Sequence, residues 1–73
     1  MKDKNSVSAS VYKRQVVKEA IKAVAPKCKG NFEIPMSAIT YIENGNRLRK
    51  KPVRASYDYV RALVYEMILA REI

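Results

Sequence analysis

The sequence predicts a mostly α domain of three helices, built like a helix-turn-helix, with at most a minimal β element. The chain has 73 residues, 48% of them hydrophobic, which suits one compact core and is too apolar for a disordered tail. Apolar residues recur at helical spacing in three segments, and Pro or Gly separates these segments. Residues 10–73 are expected to form the single domain, and the small, polar residues 1–9 a flexible basic arm.

The first helix is expected to begin near Ser8 or Ser10, either of which suits a cap. It should run to about Ala25, because Pro26 disfavours helical geometry in the residue before it. One apolar face is predicted from Val16, Val17, Ala20, Ile21 and Val24. On another face Arg14, Lys18 and Lys22 lie four apart, and this row is interpreted as a solvated surface rather than one that follows phosphates.

The second helix should follow a loop over residues 26–33. The segment Phe32-Glu33-Ile34 either forms a very short strand or pins the loop to the core. Pro35 suits the first turn of the helix. Met36, Ile39 and Ile42 fall on one side of it. The helix is expected to end at Asn44-Gly45, since both residues tolerate left-handed backbone conformations.

The third helix follows a basic run in which Pro52 keeps the chain extended. Ser56 is the predicted cap, and Asp58 in the first turn complements the helix dipole. The helix should reach about Arg71 along an apolar stripe formed by Val60, Leu63, Val64, Met67 and Ile68. The predicted core of the domain is Val17, Ile21, Val24, Ile39, Ile42, Val60, Leu63, Val64 and Met67.

Charge limits the classes of function. The chain has 15 Lys and Arg, 7 Asp and Glu, no His and a formal net charge of +8, which is typical of a nucleic-acid-binding domain. An anionic membrane or an acidic protein would also be attracted. With no His and a single cysteine, Cys28, no catalytic set, metal site or internal disulfide is expected. We therefore predict a cytoplasmic non-enzyme with no cofactor, and the lack of a long apolar run argues against a membrane span.

The candidate binding residues lie on both sides of the junction between the basic run and the third helix. Five cations with no intervening acid suit phosphates, and the run leads into a helix N-terminus, whose free N–H groups attract anions. The predicted phosphate ligands are Arg47, Arg49, Lys50, Lys51 and Arg54. Side chains in the first turns of a helix read bases in the major groove, so Ser56, Tyr57 and Arg61 are predicted to face DNA. Tyr59 and Tyr65 are interpreted as packing residues.

The segment 55–73 also resembles the recognition helix of winged helix-turn-helix regulators, especially the GntR type. Ser56, Val60, Arg61 and Glu66 fit that family's pattern, with Val64 and Met67 at its Leu positions and Ile73 at its closing Ile. Upstream, Ile34-Pro35-Met36-Ser37 is similar to the Leu-Pro-Ser that opens the family's second helix. The resemblance implies that Ser56, Tyr57 and Arg61 touch DNA.

Three features depart from the family's pattern. The link before the third helix is longer than the family's tight turn, Arg71 replaces a Gly, and no C-terminal wing is expected. Either the basic link substitutes for the wing, or the helices are arranged differently.

The predicted function is binding of double-stranded DNA, as a small transcriptional regulator or a phage- or plasmid-type accessory factor. A homodimer is expected because the core is small, with an interface from Met67, Ile68, Leu69 and Ile73. The alternative is a protein-binding module that inhibits or modulates an acidic host or regulatory protein. RNA binding would need exposed stacking aromatics, for which the tyrosines are candidates.

Overall fold

Three helices make up the fold, as the sequence predicts. A computed structural model describes residues 9–73, so the predicted arm lies outside the described residues except for Ala9, which begins a helix. The helices are α1 (Ala9–Val24), α2 (Ile34–Asn46) and α3 (Tyr57–Leu69), and short 3-10 turns cover Ala25–Lys27 and Asn31–Glu33. Residues 9–73 contain no strand. α1 packs mainly on α2, and α2 on α3.

The end of α1 follows from Pro26. The α-helix stops at Val24, and Pro26 sits early in the 3-10 turn that follows, where the Cys28 N–H donates to the carbonyl of Ala25 at 3.2 Å. Because Pro26 has no N–H to donate to the carbonyl four residues earlier, the α-helix cannot continue through it, and the chain tightens into the 3-10 turn. The buried face of α1 is the predicted one, with Val24 half-buried at its edge: Val16, Val17, Ala20 and Ile21.

The start of α2 corrects two expectations. The segment Phe32-Glu33-Ile34 does not form a strand, because a 3-10 turn covers Asn31–Glu33 and α2 begins at Ile34. The segment pins the loop to the core through Ile34, which is 2% exposed, and not through Phe32, which is 79% exposed. Ile34 is the buried residue, and it begins a ridge that continues four residues apart through Ala38 and Ile42. Met36 lies well off this ridge and is 56% exposed. The periodicity alone does not indicate this ridge, because its central residue, Ala38, is too small to stand out as a core residue.

The end of α2 corrects a third expectation. The helix continues to Asn46, and neither Asn44 nor Gly45 has a positive φ. Gly45 instead leaves room for a side chain: a Cβ there would lie 2.6 Å from Nη1 of Arg49. That Nη1 donates to the carbonyl of Ile42 at 3.1 Å and to Oδ1 of Asn46 at 3.2 Å. Arg49 therefore adds a second donor to a carbonyl near the C-terminal end of the helix, where a basic side chain also interacts favourably with the helix dipole.

Asn46 ties the linker between α2 and α3 to the helical core. Its Nδ2 donates to the carbonyl of Val53 at 2.9 Å, and its Oδ1 accepts from the Val53 N–H at 3.0 Å. One amide side chain thus satisfies both backbone groups of one residue, as a neighbouring strand would. The side chain of Val53 is only 5% exposed and joins the core. The linker, residues 47–56, is therefore anchored near its middle.

The two ends of α3 differ in their caps. At the first turn, Oγ of Ser56 accepts from the Tyr59 N–H at 3.1 Å, which confirms the predicted cap. The helix ends at Leu69, two residues before the predicted end. Arg71 then adopts φ 59°, its N–H donates to Ile68 at 3.0 Å, and the Glu72 N–H donates to Met67 at 2.8 Å. This pair of bonds is a Schellman motif, whose left-handed residue is usually Gly.

The core agrees largely with its prediction. Seven of the predicted residues are buried, Val24 and Ile39 are half-buried against them, and Val16, Ala20, Ile34, Ala38 and Val53 complete the cluster. Met67 is 1% exposed. It therefore belongs to the core and is not available for the dimer interface in which it was expected.

The row of cations on α1 forms ion pairs with α3 and with the turn that follows it. Arg14 pairs with Glu66, and Lys18 contacts the carboxylate of Glu72 at 3.0 Å, with Lys22 3.9 Å away. The hydrogen bond from Lys18 lowers the pKa of Glu72 below its ordinary 4.5, the charges of Lys22 and Arg14 act in the same direction, and partial desolvation opposes them. The row is therefore a seam between two helices rather than a purely solvated face.

Asn46→Ala should lower the free energy of unfolding by about 1–3 kcal/mol, because two polar groups of Val53 lose their partner. Asn44→Ala, at an exposed position two residues away, should change it by less than about 0.5 kcal/mol. Urea denaturation of both variants checks this. Equal effects would show that the amide of Asn46 does not hold the linker.

Arg71→Gly should raise the free energy of unfolding by roughly 0.5–1 kcal/mol, since glycine adopts a left-handed conformation without the steric cost of a Cβ. Arg71→Ala removes the same charge but keeps the Cβ, so it should leave stability within about 0.5 kcal/mol of the parent chain. Thermal unfolding of the three chains separates the two effects. A gain in both variants would assign the effect to the charge.

Glu72→Gln should destabilise the protein at neutral pH and lose its effect in acid. A carboxylate whose folded pKa is depressed contributes stability above its unfolded pKa, and that contribution disappears as pH falls through the folded pKa. The difference from the parent chain should be constant near pH 7 and shrink below about pH 4.5. Denaturation measured from pH 7 to 3 checks this expectation. The double variant Lys18→Met/Glu72→Gln should lose less free energy of unfolding than the sum of the losses in the two single variants.

Candidate nucleic-acid interface

The predicted phosphate ligands of the linker fall into two groups. Arg47, Lys50, Lys51 and Arg54 are exposed. None of these four forms an ion pair with an acidic residue in the described part of the chain. Arg49 is half-buried, and its guanidinium is bound to the end of α2. Its assignment as a phosphate ligand is therefore weakened, while the other four remain positioned for one.

A groove separates the linker from the N-terminal half of α1. Its lining includes Tyr12, Lys13, Lys50, Lys51, Pro52 and Arg54. The Tyr12 hydroxyl donates to the carbonyl of Lys51 at 3.4 Å and bridges the two walls. This second attachment, together with the anchor at Val53, fixes the path of the basic segment along α1.

Lys13 is a member of this groove that the sequence did not indicate. Its Nζ lies 4.3 Å from the centre of the Tyr59 ring, within the range of a cation–π contact. The contact holds the ammonium between α1 and the first turn of α3. No spacing in the sequence relates Lys13 to residues 50–54, because only the packing of α1 against the linker brings them together. The exposed cations of the linker and Lys13 are hereafter called the basic surface: Lys13, Arg47, Lys50, Lys51 and Arg54.

The predicted groove-facing residues lie at the adjacent start of α3. The Ser56 hydroxyl oxygen is occupied as the helix cap, so its first role is structural. Tyr57 is 43% exposed and Arg61 is exposed on the same face one turn later. The guanidinium of Arg61 lies 5.3 Å from the centre of the Tyr65 ring. Tyr65 is 53% exposed, so it is a surface residue and not the packing residue that was expected.

Charge is distributed unevenly over the interface. The linker has five cations and no acid. The exposed face of α3 has Arg61 together with Asp58, and Glu66 lies nearby in its pair with Arg14. The positive potential is therefore stronger at the linker than along α3. This arrangement suits phosphate contact by the linker. The exposed face of α3 is better suited to contacts through its aromatic rings than to electrostatic attraction of phosphates.

No protein-family model, curated protein or solved structure matches this chain. The resemblance to winged helix-turn-helix regulators thus rests on the residues of segments 34–37 and 55–73 alone. Arg71, which stands where that family has a Gly, has the left-handed backbone common at the C-terminal ends of helices in general. Among the described residues, no helix has both the length and the apolar character required to cross a bilayer.

Proposed function

We propose that this protein binds double-stranded DNA through the basic surface, with the first turns of α3 beside the duplex. The observation that carries the proposal is the set of exposed linker cations, which have no acidic partner in residues 9–73. Three of them, Lys50, Lys51 and Arg54, line a groove together with Lys13. Closely spaced like charges repel one another unless anions neutralise them. Phosphates provide that neutralisation, and the release of their counterions drives binding.

The fixed path of the linker supports this proposal. A mobile basic loop would lose conformational entropy on binding, which weakens association. Here Asn46 holds Val53, and Tyr12 holds the carbonyl of Lys51. The side chains of Lys50, Lys51 and Arg54 thus start from a backbone that is already ordered. The N-terminus of α3 follows directly, and its N–H groups add a further attraction for a phosphate.

In this proposal Tyr57 and Arg61 contact DNA from α3, in agreement with the regulator family that this helix resembles. A role in transcription regulation, or as an accessory factor, follows from that resemblance. The proposed homodimer would use Leu69 and Ile73, which are 84% and 36% exposed.

Binding to an acidic protein is the second candidate function, and Leu48 favours it. This residue is 91% exposed at the start of the basic linker, between Arg47 and Arg49. An apolar side chain surrounded by cations suits a protein surface that combines carboxylates with an apolar pocket. Leu48→Ser should weaken such an interaction and leave phosphate contacts unchanged.

The variant Lys50→Gln/Lys51→Gln should reduce the salt dependence of DNA binding. Each lost phosphate contact lowers the slope of log K against log salt by about 1, so the expected reduction is about 2. A fluorescence anisotropy titration with duplex DNA from 50 to 300 mM salt, roughly the range in which such contacts are resolved, measures it.

The matched control is Lys27→Gln/Lys29→Gln, which removes the same charge at the other end of α1. Val24 lies roughly 18 Å from Tyr12 along the helix, so these lysines are remote from the basic surface. The control should keep the slope of the parent chain. Equal slopes in both variants would assign binding to net charge, and no binding at low salt would overturn the proposal.

A further inference from the structure

A recess with aromatic walls lies on the side of α3 that faces away from Lys13. Its lining includes Phe32, Pro35, Tyr57, Arg61, Val64 and Tyr65. Pro35 and Val64 are buried, so they form its apolar floor. Three exposed rings surround this floor: Phe32 is 79% exposed, Tyr57 43% and Tyr65 53%. We call this the aromatic recess.

The exposed ring of Phe32 lies beside Gly30 in the loop before α2. Gly30 has extended backbone, φ −149° and ψ 163°, which any residue adopts. A Cβ at Gly30 would lie 2.8 Å from Cε1 of Phe32. The ring lies directly beside Gly30, so a side chain at that position would displace it. It lies at the surface, where it lines the recess beside α3.

The chemistry of the recess suits a planar, electron-rich group. Exposed rings and a guanidinium are the side chains on which unpaired bases stack in nucleic-acid-binding proteins. Arg61 already lies over one ring, Tyr65, at 5.3 Å. Aliphatic residues contribute only the floor, so the walls offer π-faces rather than a pocket for an aliphatic side chain.

The position of the recess relates it to the proposed DNA contact. The linker ends at Ser56, and Tyr57, the next residue, is the first residue of α3 and a wall of the recess. On the other side of the same turn, Tyr59 contacts Lys13 of the basic surface. The linker and the aromatic recess therefore adjoin in the chain at Ser56 and Tyr57, so DNA held by the linker cations Arg54 and Lys51 lies at the start of the helix that forms the recess.

We infer that the aromatic recess binds an unpaired base, and that the preferred ligand is DNA in which a duplex adjoins a single-stranded segment. The inference rests on the proposed function and makes it more specific. Tyr57 and Arg61 then act by stacking on an unpaired base rather than by reading paired bases in the major groove. The basic surface holds the phosphates of the duplex, whatever its sequence.

The test compares three ligands that share one duplex. The first is blunt, the second has a short overhang of ordinary nucleotides, and the third has an overhang of abasic nucleotides with the same number of phosphates. The native overhang should bind about tenfold more tightly than the abasic one, given the usual contribution of a base stacked on an aromatic ring. A 2-aminopurine in the overhang should lose fluorescence when it stacks.

Three variants locate the effect. Phe32→Ala and Tyr65→Ala remove exposed rings, and Gly30→Ala displaces the ring of Phe32 without removing it. Each should reduce the preference for the native overhang several-fold and leave affinity for the blunt and abasic ligands unchanged. Lys50→Gln/Lys51→Gln should weaken all three ligands alike. Circular dichroism of each variant establishes that it is folded.

The outcomes separate the inference from the function on which it rests. Equal affinity for native and abasic overhangs, with salt-dependent binding intact, overturns the inference and leaves duplex binding in place. A preference that survives in the ring variants overturns it as well. The inference is also overturned if a peptide of alternating Glu and Leu shifts the NMR signals of the recess residues and the DNA with the native overhang does not. Loss of salt-dependent binding to all ligands overturns the proposed function.

Discussion

The pairing of Asn46 with Val53 is the interaction on which the arrangement of the charged surface depends. Five cations in residues 47–54 repel one another, and an untethered segment of that charge would spread into solvent. The two hydrogen bonds from one amide, at 2.9 and 3.0 Å, and the burial of the Val53 side chain hold the segment against the core. They also set where α3 begins, since only residues 54–56 separate Val53 from the helix.

Helix existence and most of the core were predictable because local patterns agree with the final packing. The i, i+3, i+4 stripe of α3 is buried as expected, Ser56 caps the helix, and Pro26 and Pro35 lie at the boundaries where their missing N–H is harmless. Such features depend on neighbours within one or two turns, so the sequence contains the information. The linker was also recognised as too long for a tight turn.

The errors share a different origin. From the sequence, Gly45 is expected to end α2 through a left-handed backbone conformation. In the structure it instead leaves space for the guanidinium of Arg49. The guanidinium of Arg49 donates a hydrogen bond to the carbonyl of Ile42, although the neighbouring residues Leu48 and Lys50 are exposed. Lys13 and Phe32 join their surfaces only through the packing of one element on another. The contacts of Lys13 and Phe32 with α3 join residues that no periodic pattern links, and those of Arg49 depend on a side chain beyond α2 that folds back onto the helix.

The turn after α3 makes local unfolding easier at the C-terminal end of that helix than at its N-terminal end. The last turn combines a non-glycine residue in a left-handed conformation with an ion pair from Glu72 to Lys18. Strain favours release there, and protonation of the carboxylate weakens the attachment that opposes it. Local opening in proteins begins where backbone bonds are least supported. Amide hydrogens near Leu69 should therefore exchange with solvent before those near Val60, and acid should widen the difference while the capped end of the helix stays closed.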